Sequence, residues 1–173
     1  MQGRLQKSLD ERFTTQWVVK YAYYDTRYVN RDTTQLQVDN NYRQQEFYLS
    51  TSNAYDILPI WSVSLSYDFK WNKLNSNMRQ FVNPYRFSHY VALASALSTT
   101  HLKMQGSVLA TIVNDHAQST NHNSQFTEWT SAIFANVYPF YSQGFSVRLY
   151  AKNSFRLPTF NDLYYTEIGN ANL

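Results

Sequence analysis

Twelve residues, Ile60 to Trp71, constrain this chain more than any other stretch of it. In IWSVSLSYDFKW, residues Trp61, Val63, Leu65, Tyr67, Phe69 and Trp71 fall on one side of an extended chain. Ser62, Ser64, Ser66, Asp68 and Lys70 fall on the other. Successive side chains of a strand point to opposite faces, whereas a helix repeats its apolar stripe every three to four residues. The segment is therefore a strand with one apolar and one polar face. It is also long, because strands of globular domains mostly hold about 5–6 residues.

The same alternation recurs along the chain. Residues 13–28 set Trp17, Val19, Tyr21 and Tyr23 against Gln16, Lys20 and Tyr24, and residues 42–54 set Phe47, Leu49 and Thr51 against Glu46, Tyr48 and Ser50. Residues 86–98 set Phe87, Val91, Leu93 and Leu97 against Ser88, Ala92, Ala94 and Ala96. Residues 102–115 set Leu102, Met104, Val108, Ala110 and Ile112 against Lys103, Gln105, Ser107 and Thr111. Residues 127–139 and 145–155 repeat the pattern around Trp129, Ile133, Ala135 and Val137, and around Phe145, Val147, Leu149 and Ala151. This predicts about seven long strands. Their connections alternate, with short ones near 56–59, 99–101 and 140–144 and longer polar ones near 30–41, 73–85 and 116–125. Pro59, Pro84, Pro139 and Pro158 lie at or near strand ends, where a missing N–H costs little.

Composition agrees with a β-rich chain: 17% of the residues are aromatic, and Tyr, Phe, Trp and Thr all favour strands. With no Cys, disulfides and thiolate metal sites are excluded. A net charge of +3 lacks the clustered basic stripe of a nucleic-acid binder, so no nucleic-acid partner is expected. No apolar run approaches the roughly 20 residues of a membrane helix. The first residues, MQGRLQKSLDERF, hold no apolar core of a signal peptide. Mean hydropathy is −0.52, which suits a soluble domain. A membrane barrel averages to similar values, because lumen and loop residues dilute its lipid face.

Two architectures compete for such strands. In a soluble sandwich the apolar face packs on a second sheet. In an outer-membrane barrel it meets lipid, and the polar face lines the lumen. Strand length favours the barrel. So does the spacing of Trp61 and Trp71, about 33 Å along a strand, which a tilt near 40° projects to the roughly 25 Å between aromatic girdles. Short turns on one side and long loops on the other point the same way. The expected fold class is all-β: an antiparallel transmembrane β-barrel meander, here a partial barrel.

The last nineteen residues, FRLPTFNDLYYTEIGNANL, carry a resemblance. Phe155, Arg156, Pro158, Thr159, Asp162, Leu163, Tyr164, Gly169, Asn170 and Leu173 match a segment of TonB-dependent outer-membrane receptors that runs F-R-x-P-[S/T]-x-x-[E/D]-L-Y and, after a gap, G-N-x-x-L. Ala171 stands where Pro is common in that family. The upstream hairpins, including RQQEFYLSTSNAYDILP, resemble the middle barrel of receptors of the Bacteroides type. The resemblance implies a 22-stranded barrel closed by an N-terminal plug, driven through TonB, taking up a scarce solute such as an iron chelate, a corrinoid or a glycan. On this reading residues 1–173 are one fragment of the receptor barrel in the outer membrane, without its plug and remaining strands. The implied partners are outer-membrane lipid, the plug domain and through it TonB, and a small solute. An isolated fragment would need detergent, self-association or partial closure to hide its lipid face.

Within this frame the candidate substrate-binding residues are Arg148 and Lys152, which face the lumen about Tyr150, together with Arg156, Asp162, Tyr164 and Tyr165 of the terminal segment. Pro158 is expected to end a strand at Arg156-Leu157, and the segment after it to fold onto the barrel. Asp115-His116 with His122 has no third ligand at fitting spacing, and Ser88 and His89 are adjacent and point apart on a strand. No catalytic residue, metal or cofactor is expected. Two other readings stay open: a soluble aromatic-rich β-sandwich that binds carbohydrate, and a barrel enzyme.

Overall fold

The structure is a computed structural model and describes residues 1–30, 38–78, 81–117, 122–140 and 144–160. It is all-β. Eight strands, β1 (Gln2–Asp10), β2 (Phe13–Asn30), β3 (Val38–Leu58), β4 (Trp61–Ser76), β5 (Pro84–Ser98), β6 (Leu102–Ala117), β7 (His122–Val137) and β8 (Val147–Lys152), form one sheet in sequence order. Every neighbouring pair is antiparallel. The sheet is an open meander, in which β1 and β8 each pair on one side only among the described residues.

Register carries the alternation of single strands across the whole sheet. One row runs Leu5, Trp17, Thr51, Tyr67, Val91, Ala110, Trp129. The row beside it, offset by one residue, runs Arg4, Val18, Ser50, Asp68, Tyr90, Thr111, Glu128. A slip of one residue in any pair would turn that strand's apolar set to the other face, so the pattern itself selects the register. The face carrying Tyr67 is called apolar below, and the face carrying Asp68 polar.

Three expectations need correction. The sheet has eight strands where about seven were expected, because Gln2–Asp10 is a strand. Its side chains are exposed throughout and its composition is polar, so no apolar alternation announces it; the ladder to β2 makes it a strand. The connection between β7 and β8 spans residues 138–146 and is longer than the connections between β1 and β2, β3 and β4, and β5 and β6 at the same end of the sheet. Finally, β8 stops at Lys152, well short of Leu157-Pro158. Its last ladder bond runs from the Asn153 amide to the Ser131 carbonyl, at 2.8 Å. Beyond it the chain turns inward, and Phe155 packs on Phe126 with ring centroids 4.9 Å apart.

Among the described residues no element covers the apolar face. Leu93 is 54% exposed, Trp129 63% and Leu149 60%. The small core lies elsewhere. Tyr42 and Leu74, on the polar face where β3 and β4 approach their long connections, bury themselves with Phe81 and Phe160, and Met78 packs against them. The Tyr42 hydroxyl donates to Met78 Sδ at 3.0 Å. Asn83 takes a positive φ of 43° before Pro84, the first residue of β5, where the absent N–H is tolerated.

Candidate functional site

The candidate site is shaped by the segment that follows β8. Residues 153–160, here called the strap, leave the sheet edge and cross the polar face. Phe155 lies on Phe126 of β7, the Pro158 carbonyl meets Arg86 of β5, and Phe160 joins Tyr42 and Leu74 of β3 and β4. Over these residues the segment folds back onto the polar face of the sheet.

Arg86 is the anchor. Its Nε and Nη2 donate to the two Asp115 carboxylate oxygens at 2.5 and 2.6 Å, and its Nη1 donates to the Pro158 carbonyl at 2.6 Å. Its guanidinium also lies over the Phe160 ring, 5.1 Å from the centroid. The residue is 6% exposed. A two-pronged arginine–carboxylate pair is strong and directional, so it holds the third donor aimed at the strap.

Deeper on the same face, Glu46 bridges two lysines. Lys20 Nζ is 3.4 Å from one of its oxygens and Lys70 Nζ 3.0 Å from the other. Ser50 donates to Asp68 at 2.6 Å. Between this network and the strap lies a cavity of about 390 Å³, whose wall is formed by Gln44, Lys70, Asn72, Arg86, Ser88 and Tyr90. Both cations in this wall are matched by carboxylates. What remains for a solute is amide, hydroxyl and ring, with Asn72 Oδ1 buried and unpartnered among the described residues. Such a wall suits an uncharged polar solute better than an anion.

The two β8 candidates are placed differently. Arg148 and Lys152 both point to the polar face, as expected from sequence, with Tyr150 between them at 81% exposure. Arg148 lies over the Phe134 ring at 6.0 Å, and neither cation has a carboxylate partner among the described residues. Arg156 lies on the strap and is exposed. Asp162, Tyr164 and Tyr165, and the expected turn at Gly169-Asn170, lie outside the described residues. The structure thus groups Arg148 with Lys152 and separates them from the strap cavity.

Sequence reasoning did not single out Arg86, Asp115 or Phe160 as a unit. The sequence groups Asp115 with His116 and His122, yet Asp115 and His116 point to opposite faces: Asp115 meets Arg86, and His116 stacks on Tyr85 at 4.8 Å on the apolar face. His89 likewise lies on the apolar face, 2.8 Å from the Tyr67 hydroxyl, while Ser88 is buried on the polar face. Where the strands run past the apolar belt, Arg27 meets Asp39. The hydrogen bond first, and then the opposite charge, raise the arginine above its usual value.

Compared with known proteins, the chain matches no protein-family model and no curated protein.

Proposed function

We propose that this chain is part of the wall of an outer-membrane β-barrel, in a TonB-dependent receptor that takes up a scarce solute such as an iron chelate, a corrinoid or a glycan. The observation that carries the membrane reading is the course of the uncovered apolar belt across the sheet. On β2 the belt runs up to Tyr23. The register row through Tyr23 passes Gln45, Lys73 and Tyr85 and reaches His116 on β6. On β6, however, the belt ends at Ile112, four residues lower. Four residues over four strand spacings is an incline of roughly 35°, at about 3.3 Å per residue and 4.8 Å per strand.

The lower border falls in the same sense. The row through Phe13 and Tyr55 reaches Ile133 on β7, and there the belt continues to Val137. That is an incline of roughly 30°. A belt of constant height that crosses the strands obliquely is what strands tilted in a bilayer need, since membrane barrels tilt theirs by about 35–45°. A sandwich needs this face covered by a second sheet, and among the described residues none covers it.

The strap supports a wide barrel. An eight-stranded cylinder has room inside for little beyond its own side chains. Here Phe155, Pro158 and Phe160 already lie on the inner face. In hydrocarbon the one-sided strands β1 and β8 also require partners. Further strands of a parent barrel meet both demands. The TonB-dependent assignment rests on the resemblance of residues 155–173, and the plug, TonB and the solute enter with it.

The test uses lipids with brominated acyl chains, which quench tryptophan on contact. In vesicles they are expected to quench the exposed Trp61 and Trp129, and the parent protein is expected to fractionate with outer membranes and to migrate heat-dependently on gels. A chain that is monomeric in plain buffer and unquenched by such lipids would instead be a soluble module. Uptake by the parent receptor that persists without TonB would remove the receptor assignment while leaving the barrel.

A further inference from the structure

We infer that the upper rim of the apolar face, where β3 and β4 rise out of the belt, binds the phosphate-bearing headgroup of a membrane lipid. The inference rests on the bilayer reading and adds a site to it. Trp71 is the last aromatic residue of the belt on β4. Above it on the same face stand Lys73, Asn75 and Asn77, beside Gln45, Arg43 and Asn41 of β3. The Asn41 amide donates to Asn77 Oδ1 at 2.7 Å, and the Asn77 amide to the Asn41 carbonyl at 3.3 Å, so the rim is tied across the two strands. Together Asn41, Arg43, Asn75, Ser76 and Asn77 line a polar cavity of about 360 Å³.

Three features call for an anion with hydroxyl or amide groups about it. Lys73 is half-buried between Gln45 and Tyr85 and has no ion pair among the described residues. Arg43 is exposed and approaches Asp25 only at 3.5 Å, through Nε, which leaves the outer edge of its guanidinium open. Asn41 Oδ1 is buried and has no hydrogen-bond partner among the described residues, so it can accept from a headgroup hydroxyl or amide. Among the described residues, the charged groups on this face of the rim are Arg27, Arg43 and Lys73 against Asp25 and Asp39, and Asp39 is held by Arg27. Among these the excess is one positive charge, and it sits at Lys73, directly above the belt.

The wall below decides the class of ligand. Beneath Lys73 the face is aromatic: Trp71, with Phe47, Phe69 and Phe87 in a chain of rings 6.2–6.4 Å apart. A free phosphate would use the rim and leave this wall bare. A phospholipid or phosphorylated glycolipid uses both, with its acyl chain on the rings and its phosphate between Lys73 and Arg43. Basic side chains near anionic lipid add attraction of this kind at membrane surfaces.

The experiment measures lipid selection at Trp71. A variant whose other tryptophans are replaced by Phe is placed in phosphatidylcholine vesicles. These are doped at equal fraction with brominated-chain phosphatidic acid or brominated-chain phosphatidylcholine. Phosphatidic acid is expected to be selected about fivefold. Lys73→Gln is expected to abolish that preference, and Lys103→Gln, on the opposite face, to leave it intact. The wild-type chain, with all its tryptophans, is measured alongside, so that a folding defect of the variant does not decide the result. Equal quenching by the two lipids overturns the rim site while leaving the bilayer reading standing. A preference that survives Lys73→Gln combined with Arg43→Gln overturns it too. Displacement of the preference by inorganic phosphate alone would mean a phosphate site and not a lipid site. No quenching by either lipid refutes the bilayer reading itself.

Discussion

Two groups of cations on the polar face live under different rules. Toward β2–β6, Lys20, Lys70 and Arg86 are each matched to a carboxylate, and Arg86 is buried beneath the strap. On β8, Arg148 and Lys152 stand exposed, without a carboxylate partner among the described residues. A buried charge must be paired, because desolvation otherwise costs several kcal/mol. An exposed one need not be, and stays available to a solute. The first group is therefore architecture that shapes the cavity under the strap, and the second is left open to solvent.

The sharpest way to break this contrast is Arg86→Ala. It leaves Asp115 unpaired at a site where both side chains are nearly buried and frees the Pro158 carbonyl. The expected loss is about 3–5 kcal/mol, read by denaturant unfolding in micelles. Proteolysis after Arg156 should accelerate in parallel. A variant as stable and as resistant as the parent chain would show that the strap holds without its anchor.

Glu46→Gln comes next. It removes the charge between Lys20 and Lys70, but both lysines are about a third exposed and water screens them. The expected cost is about 1 kcal/mol. A loss as large as that of Arg86→Ala would place this trio with the buried structural charges.

The smallest stability effect is expected for Arg148→Gln with Lys152→Gln, within about 0.5 kcal/mol. Under the proposed uptake function the readout that matters there is uptake of an anionic solute by the parent protein, which should fall. Unchanged uptake would mean that these residues merely line a wet wall.

Legibility varied across the molecule for physical reasons. The faces of β2–β8 could be read from period-two alternation, as could the polar orientation of Arg148 and Lys152, because alternation is a property of each strand alone. β1 could not, since an exposed polar edge strand has no apolar pattern and is defined by hydrogen bonds to its neighbour. The Arg86–Asp115 pair was also out of reach. Its members lie 29 residues apart and meet only because Arg86 is placed opposite Asp115 in the β5–β6 ladder. The cavity needs more still, since the strap that closes it comes from the far edge of the sheet.

Taken alone, the order of residues determined that this chain is extended, that each long strand has two unlike faces, and which side chains belong to each. Those are local facts, dictated by backbone geometry. Assembly in three dimensions decided which faces line up, at what slant the apolar belt crosses the strands, and which charges find partners. Those depend on register and on a crossing segment, and contacts between residues distant along the chain have no signature in either neighbourhood.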